Sequence, residues 1–189
     1  MQNPNCFQLK KILKNQGFTL VELMVTITIA VILLAIAVPN MTSFINNNRV
    51  STAVNEFVGA TTLARSEAIK QGKLVTICRS TNAMSSTPTC DASALDWTSG
   101  WLVYVENSTS TNIGVYQATE TILSRQAVFP NTILIPSSVT SITFNSSGQP
   151  ITTATSTFNF SFNNLYGREV CMERTGRVKT IPGGSATNC

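Results

Sequence analysis

The chain has 189 residues, thirteen Lys and Arg against nine Asp and Glu, a formal charge of +4 and no histidine. That length suits one globular domain beyond a single long helix, and an apolar share of 43% is that of a folded chain rather than a disordered one. Without histidine, Ser-His-Asp and Cys-His nucleophile pairs are excluded, and the cysteine spacings are not those of a zinc site. No catalytic constellation is visible, so the chain reads as a non-enzyme that needs no cofactor.

The first element is Phe18 to Val38, an apolar run whose one charge is Glu22. As a helix rising about 1.5 Å per residue it is roughly 30 Å long, enough to cross a bilayer. A charge inside a membrane helix costs on the order of 3 kcal/mol, so Glu22 is functional by default and needs a partner. Lys10, Lys11 and Lys14 precede Gly17 and would hold that end in the cytoplasm while the rest crosses. Two readings compete: a plain membrane anchor, which explains the length but not Glu22, and an ordinary secretory signal cleaved near Ala35-Ile36-Ala37, although the run exceeds the usual signal core of about 7 to 15 residues.

After Pro39 a helical period resumes from Met41 to about Gln71. Val50, Ala53, Val54, Phe57, Val58, Leu63, Ala64 and Ala68 form one apolar stripe that should lie on a sheet, and Gly72 is a plausible stop. Strands are expected at Lys73–Cys78, Trp101–Glu106, Ile122–Val128, Thr132–Ile135, Ser141–Asn145 and Thr157–Phe162, the last with Phe158, Phe160 and Phe162 on one buried face. Trp97 and Trp101 are expected to plug the core. Arg168–Glu173 and Arg177–Ile181 flank Thr175-Gly176 as a terminal hairpin. A helix followed by many antiparallel strands gives an α+β domain.

The hairpin is where chemistry could sit. Arg168, Arg174, Arg177 and Lys179 stand against Glu169 and Glu173. If Arg177 and Lys179 share a strand they face the same side, and Gly176 permits a tight turn or a close approach to a ligand. Two cations on one face could grip DNA phosphates, and the lack of interleaved aromatic residues argues against base stacking. The alternative is a solvated hairpin or a subunit contact.

Gly17-Phe18-Thr19-Leu20-Val21-Glu22 resembles the prepilin processing site of type IV pilins and type II secretion pseudopilins. The resemblance implies cleavage after Gly17 by a prepilin peptidase, methylation of the new N-terminus at Phe18, and pairing of Glu22 with the N-terminal amine of a neighbouring subunit. Pro39 sits where many pilins have a helix-breaking proline. Val75-Thr76-Ile77-Cys78-Arg79-Ser80, Cys90, Asp96-Trp97 and Gly100-Trp101-Leu102-Val103 look like the FimT/GspH subgroup of minor pilins and pseudopilins. The FimT branch is associated with DNA binding in natural transformation through a C-terminal Gly-Arg-x-Arg motif. Here that motif reads Gly176-Arg177-Val178-Lys179, and lysine keeps the charge but loses the bidentate fork.

The resemblance implies a leader at 1–17, a transmembrane helix at 18–38, an amphipathic helix at 39–72 and a β-rich periplasmic domain at 73–189. The long helix would pack on an antiparallel sheet in a pilin-like fold. The implied life history begins in the bacterial inner membrane, among lipid and the assembly platform, and ends in a pilus with other major and minor pilins. There the hairpin (Arg168, Arg174, Gly176, Arg177 and Lys179) would bind extracellular DNA without regard to sequence. The alternative is a GspH-like pseudopilin or pilus-initiating subunit with a purely structural role.

Loss of the leader would leave ten basic residues against nine acidic, so there is no general basic field. Cys6 leaves with the leader, and Cys78, Cys90, Cys171 and Cys189 remain: an even set in an exported chain, with three possible connectivities. Sequence neighbours favour Cys78–Cys90 and Cys171–Cys189, each worth about 3 kcal/mol in the chain-entropy account. Amino-terminal sequencing of the processed protein is expected to begin at Phe18; a chain beginning at Val38 would contradict this reading.

Overall fold

The computed structural model describes residues 17–93, 96–107, 113–129, 133–151, 156–163 and 166–183. Lys10, Lys11, Lys14, Cys6 and Cys189 lie outside them. The first element, α1, runs Leu20–Gln71 and carries through two compact units, Met1–Thr42 and Ser43–Cys189, which are taken separately.

In the first unit Thr19 caps α1. The Glu22 N–H donates to Thr19 Oγ1 at 3.2 Å and the Leu23 N–H to the Thr19 carbonyl at 3.1 Å. Glu22 therefore sits in the first turn, where a negative charge complements the helix dipole. From Leu20 to Val38 the helix is exposed all round and is long and apolar enough to cross a membrane. Hydroxyls within this stretch are satisfied locally: Thr26 Oγ1 donates to the Leu23 carbonyl at 2.8 Å and Thr28 Oγ1 to Met24 at 2.7 Å. That removes the need for water at those positions. Pro39 sits where many pilins have a helix-breaking proline, and α1 includes it as part of the one long helix that was expected.

In the second unit all eight expected strands form: β1 (Val75–Arg79), β2 (Trp101–Val105), β3 (Thr121–Gln126), β4 (Ile133–Leu134), β5 (Ser141–Phe144), β6 (Ser156–Phe162), β7 (Tyr166–Met172) and β8 (Val178–Pro182). They divide between two antiparallel sheets, ordered β3-β2-β1-β5 and β4-β6-β7-β8. Strand pattern is local and predicts the strands; which strands pair is decided by distant contacts.

The expected stripe of α1 is the centre of the core. Val50, Ala53, Val54, Phe57, Ala64 and Ala68 are buried, while Val58 and Leu63 are half-buried. Phe57 lies within 5.5 Å, ring centre to ring centre, of Trp97, Trp101, Phe158 and Phe160. Trp101 belongs to the first sheet and the two phenylalanines to the second, so one helical side chain joins α1 to both. Trp97 is the expected core plug, with its indole N–H donating to the Val139 carbonyl at 2.9 Å.

β1 and β2 are buried along their whole length, which means the middle of the first sheet is covered on both faces. Val75, Ile77, Trp101, Val103 and Val105 alternate toward the core under α1. Cys78, Leu102 and Tyr104 face the other way, into a second small cluster with Ala83, Cys90 and Tyr116. The loop after β1 supplies that outer cover and is held down by the Cys78–Cys90 disulfide, as expected. Phe57→Ala should cost about 3–5 kcal/mol, since it empties the junction of helix and both sheets. Near-UV circular dichroism melting of the full-length protein in detergent measures this, and a loss no larger than that of an exposed-site alanine would argue against the junction.

Candidate assembly motif and nucleic-acid interface

The terminal hairpin is built from β7, β8 and the turn between them. The Gly176 N–H donates to the Glu173 carbonyl and the Glu173 N–H to the Arg177 carbonyl, both at 2.9 Å, closing the turn over Arg174, Thr175 and Gly176. Gly176 has φ +75°, which favours glycine. A Cβ there would collide with the Gly148 carbonyl oxygen and press on Arg65 Nε and Phe144. The close approach that Gly176 allows is thus to the protein's own neighbouring turn, not to a ligand.

This geometry sorts the expected cationic residues into three groups. Arg174 and Arg177 are exposed, lie in the turn and form no ion pair among the described residues. Arg177 was expected to share a strand face with Lys179, but β8 begins at Val178 and Arg177 belongs to the turn. Lys179 is in β8 opposite Cys171, on the outer face, and is ion-paired with Glu173. Arg168 is exposed at the other end of β7, opposite Pro182, on the hairpin face shared with Val170 and Met172. At about 3.3 Å per residue it is roughly 13 Å from Met172 and does not join the turn.

The Glu173 carboxyl is held below the usual carboxylate range, first by its hydrogen bond from Lys179 and further by the nearby charges of Lys179 and Arg177. Among the described residues the turn therefore offers two exposed arginines outside any ion pair, and the adjoining strand one neutralised lysine. Cys171 is disulfide-bonded; its expected partner, Cys189, lies outside the described residues.

Sequence reasoning missed a buried acidic pair on the outer face of the first sheet. Glu106 and Glu120 are each 5% exposed. Glu106 Oε1 accepts from Thr76 Oγ1 at 2.6 Å and from the Gly114 N–H at 2.8 Å. Glu120 accepts from the N–H groups of Asn107 and Gln117 at 3.1 and 2.8 Å. Burial pushes the Glu120 carboxyl above the usual range; the two backbone N–H groups oppose this, and the neighbouring Glu106 adds to it. Burial also raises the Tyr104 phenol, and both carboxylates reinforce that. An acid placed one residue past a fully apolar strand was the available signal.

A capped, membrane-length apolar helix with one acid in its first turn, leading into a helix packed on antiparallel strands, defines a pilin-type subunit. Residues 53–176 match the family described as type II transport protein GspH, and residues 12–38 match the prokaryotic N-terminal methylation motif. The chain belongs to the GspH family, which also contains minor pilins of FimT type. The fold is similar to that of the type IV minor pilin FimU of Pseudomonas aeruginosa in two crystal forms. The P65 form is 22% identical, covering 73% of this chain and 97% of that one, with a TM-score of 0.54. The P21 form is 21% identical, covering 77% and 97%, with a TM-score of 0.57. No curated protein matches the chain. Membership makes the protein a structural, non-enzymatic subunit, and the methylation motif implies prepilin-peptidase processing and assembly with other pilins.

Since the folded protein holds the Glu120 proton more tightly than the unfolded chain does, stability falls as pH rises from the ordinary carboxylate range through the raised value. Glu106→Gln removes one cause of that rise. The drop in Tm between pH 4.5 and 7 should narrow by about 2–4 °C in this variant. An unchanged pH profile would remove Glu106 as a cause.

Proposed function

We propose that the protein is a minor pilin, cleaved between Gly17 and Phe18, methylated at Phe18 and drawn from the inner membrane into a pilus by its N-terminal helix. Glu22 serves assembly by pairing with the N-terminal amine of an adjacent subunit. It is the one charge in the apolar run and is exposed in the first turn of α1, within reach of another chain. The C-terminal domain lies in the periplasm before assembly and on the pilus surface after it.

Within that role, the terminal hairpin contacts DNA for uptake, and the observation that carries this reading is the pair Arg174 and Arg177. Both are exposed and without ionic partners among the described residues, on a turn that Gly176 locks against the Gly148 turn. Two arginines on a rigid projection bind phosphate without reading sequence. The site is narrower than the full set of cations because Glu173 occupies Lys179 and Arg168 lies elsewhere. A second reading, favoured by the family match, is a pseudopilin of type II secretion that meets no DNA.

Fluorescence anisotropy on a labelled duplex, with full-length protein in non-ionic detergent across a salt series, separates the two. Weak binding is expected, and Arg174→Ala with Arg177→Ala should reduce the slope of log affinity against log salt by about 2. Glu173→Gln should strengthen binding by freeing Lys179. Acidification through the depressed Glu173 range should do the same, because the ion pair is lost as the carboxylate protonates. No binding by the parent would favour the pseudopilin, and an unchanged slope in the double variant would move the DNA site away from the hairpin turn.

A further inference from the structure

β1 ends at Arg79, whose residue is 3% exposed. Its Nη1 donates to the Ser137 carbonyl at 3.1 Å and its Nη2 to the Ala92 carbonyl at 3.2 Å. Nε is buried and has no acceptor among the described residues. A guanidinium carries five N–H donors, so most of its capacity is unused. It forms no ion pair among the described residues, and Asp91 and Asp96 act on it only at longer range. Burial accordingly pulls its pKa below the ordinary arginine value, against the pull of those two acids. A buried cation without a contacting counter-ion is costly and calls for a partner.

Arg79 lines an open cleft of about 530 Å³, a volume within the range of small-molecule sites. Ala92 on the disulfide-loop side and Ser137 on the β4–β5 connection border the same cleft, so the guanidinium bridges two of its walls. The rest of the lining includes the hydroxyls of Ser138 and Thr140 and the amide of Asn159, beside Ser93, whose own hydroxyl donates to Asp91 Oδ1 at 2.7 Å; among the described residues no carboxylate belongs to the lining. A cation would be repelled here, and an apolar ligand would bury an unmet charge. An oxyanion would satisfy both the guanidinium and the hydroxyls.

We propose that this cleft is an oxyanion site that takes a single carboxylate or phosphate group, with Arg79 supplying the charge and Ser138, Thr140 and Asn159 the surrounding donors. The group arrives either on a free small anion or on an acidic side chain of a protein docked over the cleft. Neither the assembly motif nor the terminal hairpin takes part.

The two sources are separable by experiment. Amide NMR of the full-length protein in non-ionic detergent is followed during titration with inorganic phosphate or acetate, against chloride at constant ionic strength. Saturable shifts confined to Ser137, Ser138 and Asn159, half-complete on the order of 1 mM, are expected for a free anion. Arg79→Met should weaken them at least about tenfold. As that variant could also disturb folding, Asn159→Ala at the exposed rim is expected to weaken them about two- to fivefold in an intact fold. In parallel, Ser138→Glu presents a carboxylate covalently and is compared with Ser138→Gln. A Tm about 2–4 °C higher for the glutamate variant indicates that the cleft accepts a tethered group, as from a docked protein. Saturable shifts alone assign the free anion, and stabilisation alone assigns the tethered group. Linear shifts with both anions together with equal Tm values for the two Ser138 variants would overturn the proposal.

Discussion

The contact on which the folded unit depends is the insertion of Phe57 among Trp97, Trp101, Phe158 and Phe160. Edge-to-face aromatic packing is directional as well as apolar, so this junction sets orientation along with adhesion. The small residues beside Phe57 on the same stripe, Ala53, Ala60, Ala64 and Ala68, let the helix backbone come close to the strands. Alternating large and small side chains along one helical face thus do the work that a uniformly leucine-rich face would do less specifically.

A sheet covered on both faces follows from this arrangement. α1 and the second sheet occupy one side of β1 and β2, and the disulfide loop with Tyr104 and Tyr116 closes the other. Polar groups trapped on the outer side must then find one another. The Thr76, Thr143 and Glu106 side chains do so, with Thr76 Oγ1 lying 2.7 Å from Thr143 Oγ1. The terminal hairpin is fixed by different means: Gly176 abuts the Gly148 carbonyl, and Gly148 in turn lies against Ile69 and Arg65 of α1, which leaves Arg174 and Arg177 projecting from a stiff support.

Much of this was legible in the residues, and the reasons are local. The apolar stripe of α1 and the alternation of Phe158, Phe160 and Phe162 repeat within a few residues, as does the turn at Thr175-Gly176. Cys78 and Cys90 are close in sequence and close in space. What could not be read is non-local. The division into two sheets depends on β1 pairing with β5 rather than with a later strand, and on β4 leaving for the second sheet. The burial of Arg79 and its bridge to Ser137, 58 residues away, leave no local periodic trace. The hairpin shows the limit most clearly. Charge counting grouped four cations, while in the fold Glu173 pairs with Lys179 and Arg177 precedes the first residue of β8.

The disulfide loop separates two kinds of failure. Because the bridge fastens only the outer layer of the first sheet, a subunit left reduced would hold that layer by hydrogen bonds alone, such as those from Arg125 to the Ala83 and Ser85 carbonyls, while its helix-to-sheet junction stood. Leu102 and Tyr104 would then be covered less firmly on an otherwise sound scaffold. Such a subunit would be sticky before it was weak, and an oxidising compartment would act as a check on cleanliness of surface more than on integrity of frame.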